Sequence, residues 1–206
     1  MSMDEKIIKK VESKIGRLPG GKIVFIKDFT NLGNDDAIRQ SLKRLADKNK
    51  IFRLSKGIYY IPKKDKKLGI LYPTAEQIAK AIAKRDKARI VPTGSFALYK
   101  LGLTSQIPMN VVFLTDGSPR KVTVGKQKIL FKKTTPKNLS VNHPLSNLII
   151  QSLRELGKEN ITNEVEKKLR KIISESGDAD AIEENISYAP QWIRSEIKKL
   201  IADTNE

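Results

Sequence analysis

Residues 34–62 read NDDAIRQSLKRLADKNKIFRLSKGIYYIP, and a change of period inside this stretch decides how the chain is understood. In its first half Ile38, Leu42 and Leu45 stand at i, i+4 and i+7, one narrow apolar stripe at helical spacing. Gly33 breaks the preceding segment, and Asn34 has the short polar side chain that caps a helix start. Asp35 and Asp36 suit the positive end of a helix dipole, while Lys48 and Lys50 suit the negative end. A helix over residues 35–48 is expected. After Asn49 the apolar residues crowd into Ile51-Phe52-Arg53-Leu54 and Ile58-Tyr59-Tyr60-Ile61, two strand-like runs. Ser55-Lys56-Gly57 joins them as a hairpin turn with glycine available for positive φ, and Pro62 closes the pair.

Upstream, Ile7, Ile8, Val11 and Ile15 mark an amphipathic helix over residues 4–15, ended by the loop Leu18-Pro19-Gly20-Gly21. Ile23, Phe25 and Ile26 then begin a compact unit with a short helix over residues 28–32. A short helix, a glycine turn, a longer basic-faced helix and a two-stranded hairpin, in that order, make a winged helix-turn-helix. An α-helix fits the major groove of B-DNA, and a hairpin beside it can lay a basic tip along phosphates. On the polar side of the longer helix lie Gln40, Lys43 and Arg44, with Arg39 at the edge; these are the candidates for the groove. Arg39 and Gln40 have the bidentate geometry for base edges, and Arg53 and Lys56 on the wing are candidates for phosphate. The rival reading of the same pattern is a winged helix used for protein contacts.

Charge favours a phosphate-rich partner. The formal net charge of the 206 residues is +17, and it is unevenly spread. Residues 1–67 carry 18 Lys and Arg against 8 Asp and Glu, and residues 68–143 carry 13 against 3, whereas residues 144–206 carry 9 against 12. Two basic segments followed by a mildly acidic one are the footprint of a chain whose front meets nucleic acid, although a lysine-rich surface also serves solubility. No long stretch pairs a basic face with an aromatic-rich apolar face, so no membrane partner is expected. The opening Met1-Ser2-Met3-Asp4-Glu5-Lys6 lacks the apolar core of a signal peptide, and no apolar run approaches the ~20 residues that cross a bilayer. With no cysteine, disulfides and thiolate metal sites are excluded; a cytoplasmic protein is expected.

The remainder predicts an α+β protein of three parts: a winged helix-turn-helix over 1–67, a helix-plus-antiparallel-strand domain over 68–143, and a helical C-terminal region over 144–206. Lys63-Lys64-Asp65-Lys66-Lys67 reads as a charged linker between the first two. Thr74 caps a helix whose buried stripe is Ile78, Ala79, Ile82 and Ala83. Arg89-Ile90-Val91-Pro92 is a short strand, Gly94-Ser95 opens a helix ending at Gly102, and strands over 110–115, 121–124 and 128–132 form an antiparallel meander. Arg120, Lys121, Lys126, Lys128, Lys132 and Lys133 gather there, either extending a nucleic-acid surface or, the favoured reading, forming a solvated strand face. Leu145, Leu148, Ile149, Leu153 and Leu156, then Val165, Leu169, Ile172 and Ile173, then Ile182 and Ile186, then Trp192, Ile193, Ile197, Leu200 and Ile201 are the stripes of four helices. Trp192 is read as a packing residue.

The run Ile38-Arg39-Gln40-Ser41-Leu42-Lys43-Arg44-Leu45 followed by Leu54-Ser55-Lys56-Gly57-Ile58-Tyr59-Tyr60 resembles the N-terminal domain of the AbiEi-like antitoxins of bacterial abortive-infection (type IV) toxin–antitoxin systems. The resemblance continues through Thr93-Gly94-Ser95-Phe96-Ala97-Leu98-Tyr99-Lys100-Leu101-Gly102 and Val112-Phe113-Leu114-Thr115-Asp116-Gly117, and covers residues 23–137. It implies a transcriptional autorepressor that binds double-stranded DNA at repeats in its own promoter. It also implies an antitoxin whose later region counteracts a nucleotidyltransferase-like toxin without a stable direct complex. The DNA-reading positions carried over are again Arg39, Gln40, Lys43 and Arg44, with Lys56 on the wing. Operator repeats would favour a homodimer.

Two other classes stand beside this one. An RNA-binding module is weakened by the lack of aromatic-rich strand patches that stack unpaired bases. A nucleotidyltransferase would use Thr93-Gly94-Ser95 as a phosphate turn, but that chemistry needs paired carboxylates for divalent metal, and Asp116 stands alone between Asp86 and the tail. Asp116-Gly117 reads better as a turn and Ser95 as a cap. His143 is the single histidine, in a loop before Pro144, and Glu155, Glu159, Glu164 and Glu166 read as solvated. No catalysis, no metal and no cofactor are expected.

Overall fold

Asn34 does cap a helix: its Oδ1 accepts a hydrogen bond from the Ala37 N–H at 2.8 Å. In the computed structural model, which describes residues 3–202, that helix is α2 (Asp35–Asp47). Ile38, Leu42 and Leu45 are fully buried, and Ala37 and Ser41 join them. Before it come α1 (Met3–Gly16), strand β1 (Ile23–Phe25) and a 3-10 helix over Ile26–Leu32, longer than the expected short helix and tighter in winding. Asp28 accepts from the Phe25 N–H at 2.8 Å and so ties the start of that 3-10 segment. After α2, β2 (Phe52–Ser55) and β3 (Ile58–Tyr60) form the expected hairpin, with Gly57 at φ +73° in its turn.

β1 adds to the far side of β3, so the order is β1-β3-β2, antiparallel throughout, with Ile23 opposite Tyr60 and Phe52 opposite Tyr60 on the other side. A bulge between Arg53 and Ser55 twists the outer strand. Ile7, Val11 and Ile15 of α1, Phe29, the α2 stripe, Ile51 and Tyr59 make one core. Each such side chain is worth roughly 1.5–3 kcal/mol of burial, which is why a unit of this size holds together.

The charged stretch after Pro62 is not a linker. Lys63–Asp65 and Gly69–Leu71 pair as a second hairpin, β4 and β5, with Asp65 opposite Gly69. Its lysines hid the strand signal, because a ribbon exposed on both faces has no apolar alternation to betray it. Helix α3 (Ala75–Asp86) follows under a capping box: Thr74 Oγ1 accepts from Gln77 N, and Gln77 Oε1 accepts from Thr74 N.

The chain divides into two compact units, Met1–Ala81 and Ile82–Glu206. The second holds β6 (Ile90–Thr93), α4 (Ser95–Lys100), β7 (Asn110–Thr115), β8 (Arg120–Val124) and β9 (Gln127–Lys133). The strands do not form a meander. Their order is β6-β7-β9-β8, and β9 runs parallel to β7 while pairing antiparallel with β8. The physical reason lies in which faces each strand buries once the sheet is packed. Ile129, Leu130 and Phe131 put apolar side chains on both faces of β9, which suits an interior strand, whereas β8 buries only Val122 and suits an edge.

Helices α5 (Pro144–Leu156), α6 (Asn163–Ser176), α7 (Ala179–Asn185) and α8 (Gln191–Ala202) complete the unit around Ile149, Leu153, Leu169, Ile173, Ile182, Ile193, Ile197 and Leu200, with Trp192 packed against that core. His143 is the N-cap of α5, its Nδ1 accepting from Ser146 N, and Thr162 caps α6. The protein is thus α+β, with one antiparallel and one mixed sheet besides the bare hairpin. Among the described residues no helix is long and apolar enough to cross a membrane.

Candidate nucleic-acid interface

The stripe that buries Ile38, Leu42 and Leu45 leaves the other side of α2 in solvent, and the hairpin β2–β3 stands along one flank of it. Between them lies an open groove of about 660 Å³. Its floor is Ile26, Ala46, Ile51, Phe52 and Tyr59; its rims carry Arg39 and Lys43 from the helix and Arg53 and Lys56 from the hairpin. Four of the six residues singled out from the sequence therefore converge on one concave, cationic surface. Gln40 and Arg44 are also exposed on α2 but do not line that groove.

Arg39 is engaged locally. Its guanidinium reaches Asp35 and Asp36, each at 3.4 Å, across the first turn of its own helix. Pairs this exposed contribute about 0–1 kcal/mol, so a phosphate or base edge can take the aspartates' place at little cost. Asp47 also faces the groove and lowers its positive charge. Phe52, Tyr59 and Asp47 were not singled out from sequence. The first two look like core aromatics in a strand, and the third is an ordinary helix-end carboxylate.

A second basic surface was missed as well. Lys10 and Lys14 stand at i and i+4 on α1, Arg17 follows in the turn just past its end, and with Lys9 they border a groove of about 590 Å³ closed by Asn31 and Leu32. The signal was available: the same helical period that gave α1 its apolar stripe also aligns Lys10 with Lys14. Lys14 is partly committed, donating to the Asp28 carbonyl and lying 5.2 Å from the Phe29 ring centroid.

In the second unit two of the gathered cations are tied into the fold. Arg120 binds the Asp86 carboxylate and lies 5.9 Å from the Phe131 ring centroid, and Lys133 donates to the Asp116 carbonyl. Lys121, Lys126, Lys128 and Lys132 face solvent. Asp116 accepts from both the backbone N–H and Nε of Arg89 at 2.8 Å, and that guanidinium holds its carboxyl below the ordinary carboxylate range.

Gly94, not Ser95, is the cap of α4; it sits at φ +67°, and a Cβ placed there would lie 3.7 Å from the Glu155 carboxylate. A carboxylate facing this turn has the wrong sign for a phosphate site. Glu166 is not solvated: it is clamped by Lys199 at 2.8 Å and Arg170 at 3.1 Å, and Lys199 first of all depresses its pKa. His143 Nε2 lies 3.5 Å from Asp178. Among the described residues no three His, Asp or Glu side chains gather where they could hold a metal ion.

Fold and site together define an α+β protein whose N-terminal unit carries a cationic groove between a helix and a hairpin. The chain belongs to DUF6088, a family of unknown function, whose pattern matches residues 10–180. No curated protein matches it. Among solved structures it is similar to the RV2827C protein from Mycobacterium tuberculosis, at 12% identity and a TM-score of 0.49, over 99% of this chain and 78% of that one.

Proposed function

We propose that residues 1–67 act as a winged helix-turn-helix that grips double-stranded DNA, and that the chain is a cytoplasmic transcriptional regulator with an antitoxin role. The observation that carries the DNA reading is the convergence of Arg39, Lys43, Arg53 and Lys56 on one groove between α2 and the β2–β3 wing. A helix with its side chains is ~10–12 Å across and the major groove is ~12 Å wide, so α2 can enter it with Gln40, Lys43 and Arg44 foremost. The wing then brings Arg53 and Lys56 to the phosphates of the adjacent strand. Autorepression of its own operon and antagonism of a nucleotidyltransferase-like toxin rest on the resemblance to AbiEi-like antitoxins.

Binding is tested by fluorescence anisotropy on the duplex immediately upstream of the gene, titrated with salt. Lys43→Ala combined with Arg44→Ala should weaken binding and flatten the dependence of log K on log salt by as much as about 1.8, at ~0.9 per lost phosphate contact. Unchanged affinity and slope would remove the assignment. For the antitoxin role, co-expression with a nucleotidyltransferase encoded in the neighbouring reading frame should restore growth; continued toxicity would leave a DNA-binding regulator alone.

A further inference from the structure

Hairpin β4–β5 is the least explained element of the N-terminal unit. Its strands pair only with each other, and apart from the half-buried Leu71 at its base every residue in it is exposed. It carries Lys63, Lys64, Lys66 and Lys67 against one carboxylate, Asp65. That carboxylate is already used: Asp65 Oδ1 accepts from the N–H groups of Lys67 at 2.8 Å and Leu68 at 2.9 Å, an Asx turn that fixes the tip. The tip so fixed displays two ammonium groups beside Leu68, whose surface is 76% exposed. Leu68 does not stand alone: Ile70 on the same ribbon and Tyr72 just beyond it are exposed large hydrophobics too, more apolar surface than a single stray side chain.

The root of the ribbon is anchored. Tyr60 Oη donates to the Leu71 carbonyl, and the rings of Phe52 and Tyr72 lie 5.5 Å apart. Gly20 packs so closely that a Cβ there would come within 2.9 Å of the Pro62 carbonyl oxygen. Phe52 also lines the α2 groove, so the ring that packs on Tyr72, the residue after β5, belongs to that groove. From Lys56 on the wing to Lys66 on this tip the chain runs ten residues, at most about 33 Å at the ~3.3 Å rise of extended backbone. That is within one ~34 Å turn of B-form duplex.

We infer that β4–β5 is a second DNA-contacting arm that seats Lys66 and Lys67 on the phosphates bordering the minor groove and drives Leu68 between base steps, kinking the duplex. The inference rests on the DNA-binding reading above. The minor groove is ~6 Å wide with a phosphate backbone on each wall, which matches a narrow tip bearing cations beside an apolar wedge. Leucine is among the side chains that unstack a base step in this way, with kinks of about 20–90°.

The experiment uses the full chain and the upstream duplex labelled at its two ends with a donor and an acceptor fluorophore. Wild type should shorten the end-to-end distance on binding. Leu68→Ala should bind within about tenfold of wild type yet leave the distance at the free-duplex value. Lys66→Ala combined with Lys67→Ala should reduce the salt slope by about 1.8. Circular dichroism checks that these exposed substitutions leave the fold intact. Binding in which neither variant alters bend or slope overturns the arm and leaves the α2 groove standing. A wild-type chain that does not bind the duplex removes both readings. Sedimentation with mixed phosphatidylcholine and phosphatidylserine vesicles that is abolished by Leu68→Ala, with no duplex bending, would assign the tip to a lipid surface and overturn the arm.

Discussion

The two hairpins of the N-terminal unit are built from neighbouring stretches of sequence, yet their side chains do opposite things. In β2–β3 the inner strand buries all of Ile58, Tyr59 and Tyr60, and the pair is completed by β1. In β4–β5 every strand residue but the half-buried Leu71 is exposed, and no third strand joins it. Each tip has a glycine at φ +73°, Gly57 inside its turn and Gly69 as the first residue of β5, so a left-handed glycine does not by itself separate them. What separates them is whether the ribbon has a face to bury. One hairpin is part of the core's free energy; the other is held at its root, and its side chains stand in solvent.

The sharpest way to break this comparison is to truncate the buried hairpin. Ile58→Ala should cost about 2–5 kcal/mol, read as a lower denaturant midpoint, because it removes contacts from a strand closed on both edges. A cost near zero would mean that β3 is no more essential than β5. Next in size is the glycine pair. Gly57→Ala should destabilise by roughly 1 kcal/mol, since a Cβ disfavours positive φ. Gly69→Ala, with the same φ, should leave the global midpoint unmoved, because an exposed ribbon can unravel locally at less cost than unfolding the unit. Equal shifts would erase the distinction.

The smallest effect concerns the tip itself. Its two backbone donors hold Asp65 below the ordinary carboxylate range, those of Leu68 and then Lys67. A carboxylate whose folded pKa is depressed stabilises above its unfolded pKa and loses that contribution as pH falls through the folded value. The Lys67 and Leu68 amide resonances should therefore stay in their clamped positions at neutral pH and move together only on acidification below the usual carboxylate range. Asp65→Ala should produce the same amide shifts at neutral pH without changing the global midpoint.

Legibility followed the same line. The helix over α2, its Asn34 cap, the β2–β3 hairpin and the Thr74 cap could all be read, because each depends on neighbours within one or two turns. The candidate cations of α2 and the β2–β3 hairpin were nameable because they stand opposite an apolar stripe or in and beside a turn. That Arg39, Lys43, Arg53 and Lys56 share a groove while Gln40 and Arg44 do not could not be read, since it depends on which flank of the helix the hairpin lies along. The six-residue cluster in the second unit looked uniform as a string, and packing divided it: Arg120 and Lys133 were drawn into contacts with residues 34 and 17 positions away.

Amino-acid order alone determined the local elements, the concentration of positive charge in the first 143 residues, and the side of α2 that must be buried, because period and capping are short-range properties of the chain. Tertiary structure alone decided that β9 lies between β7 and β8, that a lysine-rich stretch becomes a free-standing ribbon, and that cations from helix and hairpin meet. Strand neighbours and shared grooves are chosen by which faces can be buried together, and that competition is settled only when the whole unit closes around its core.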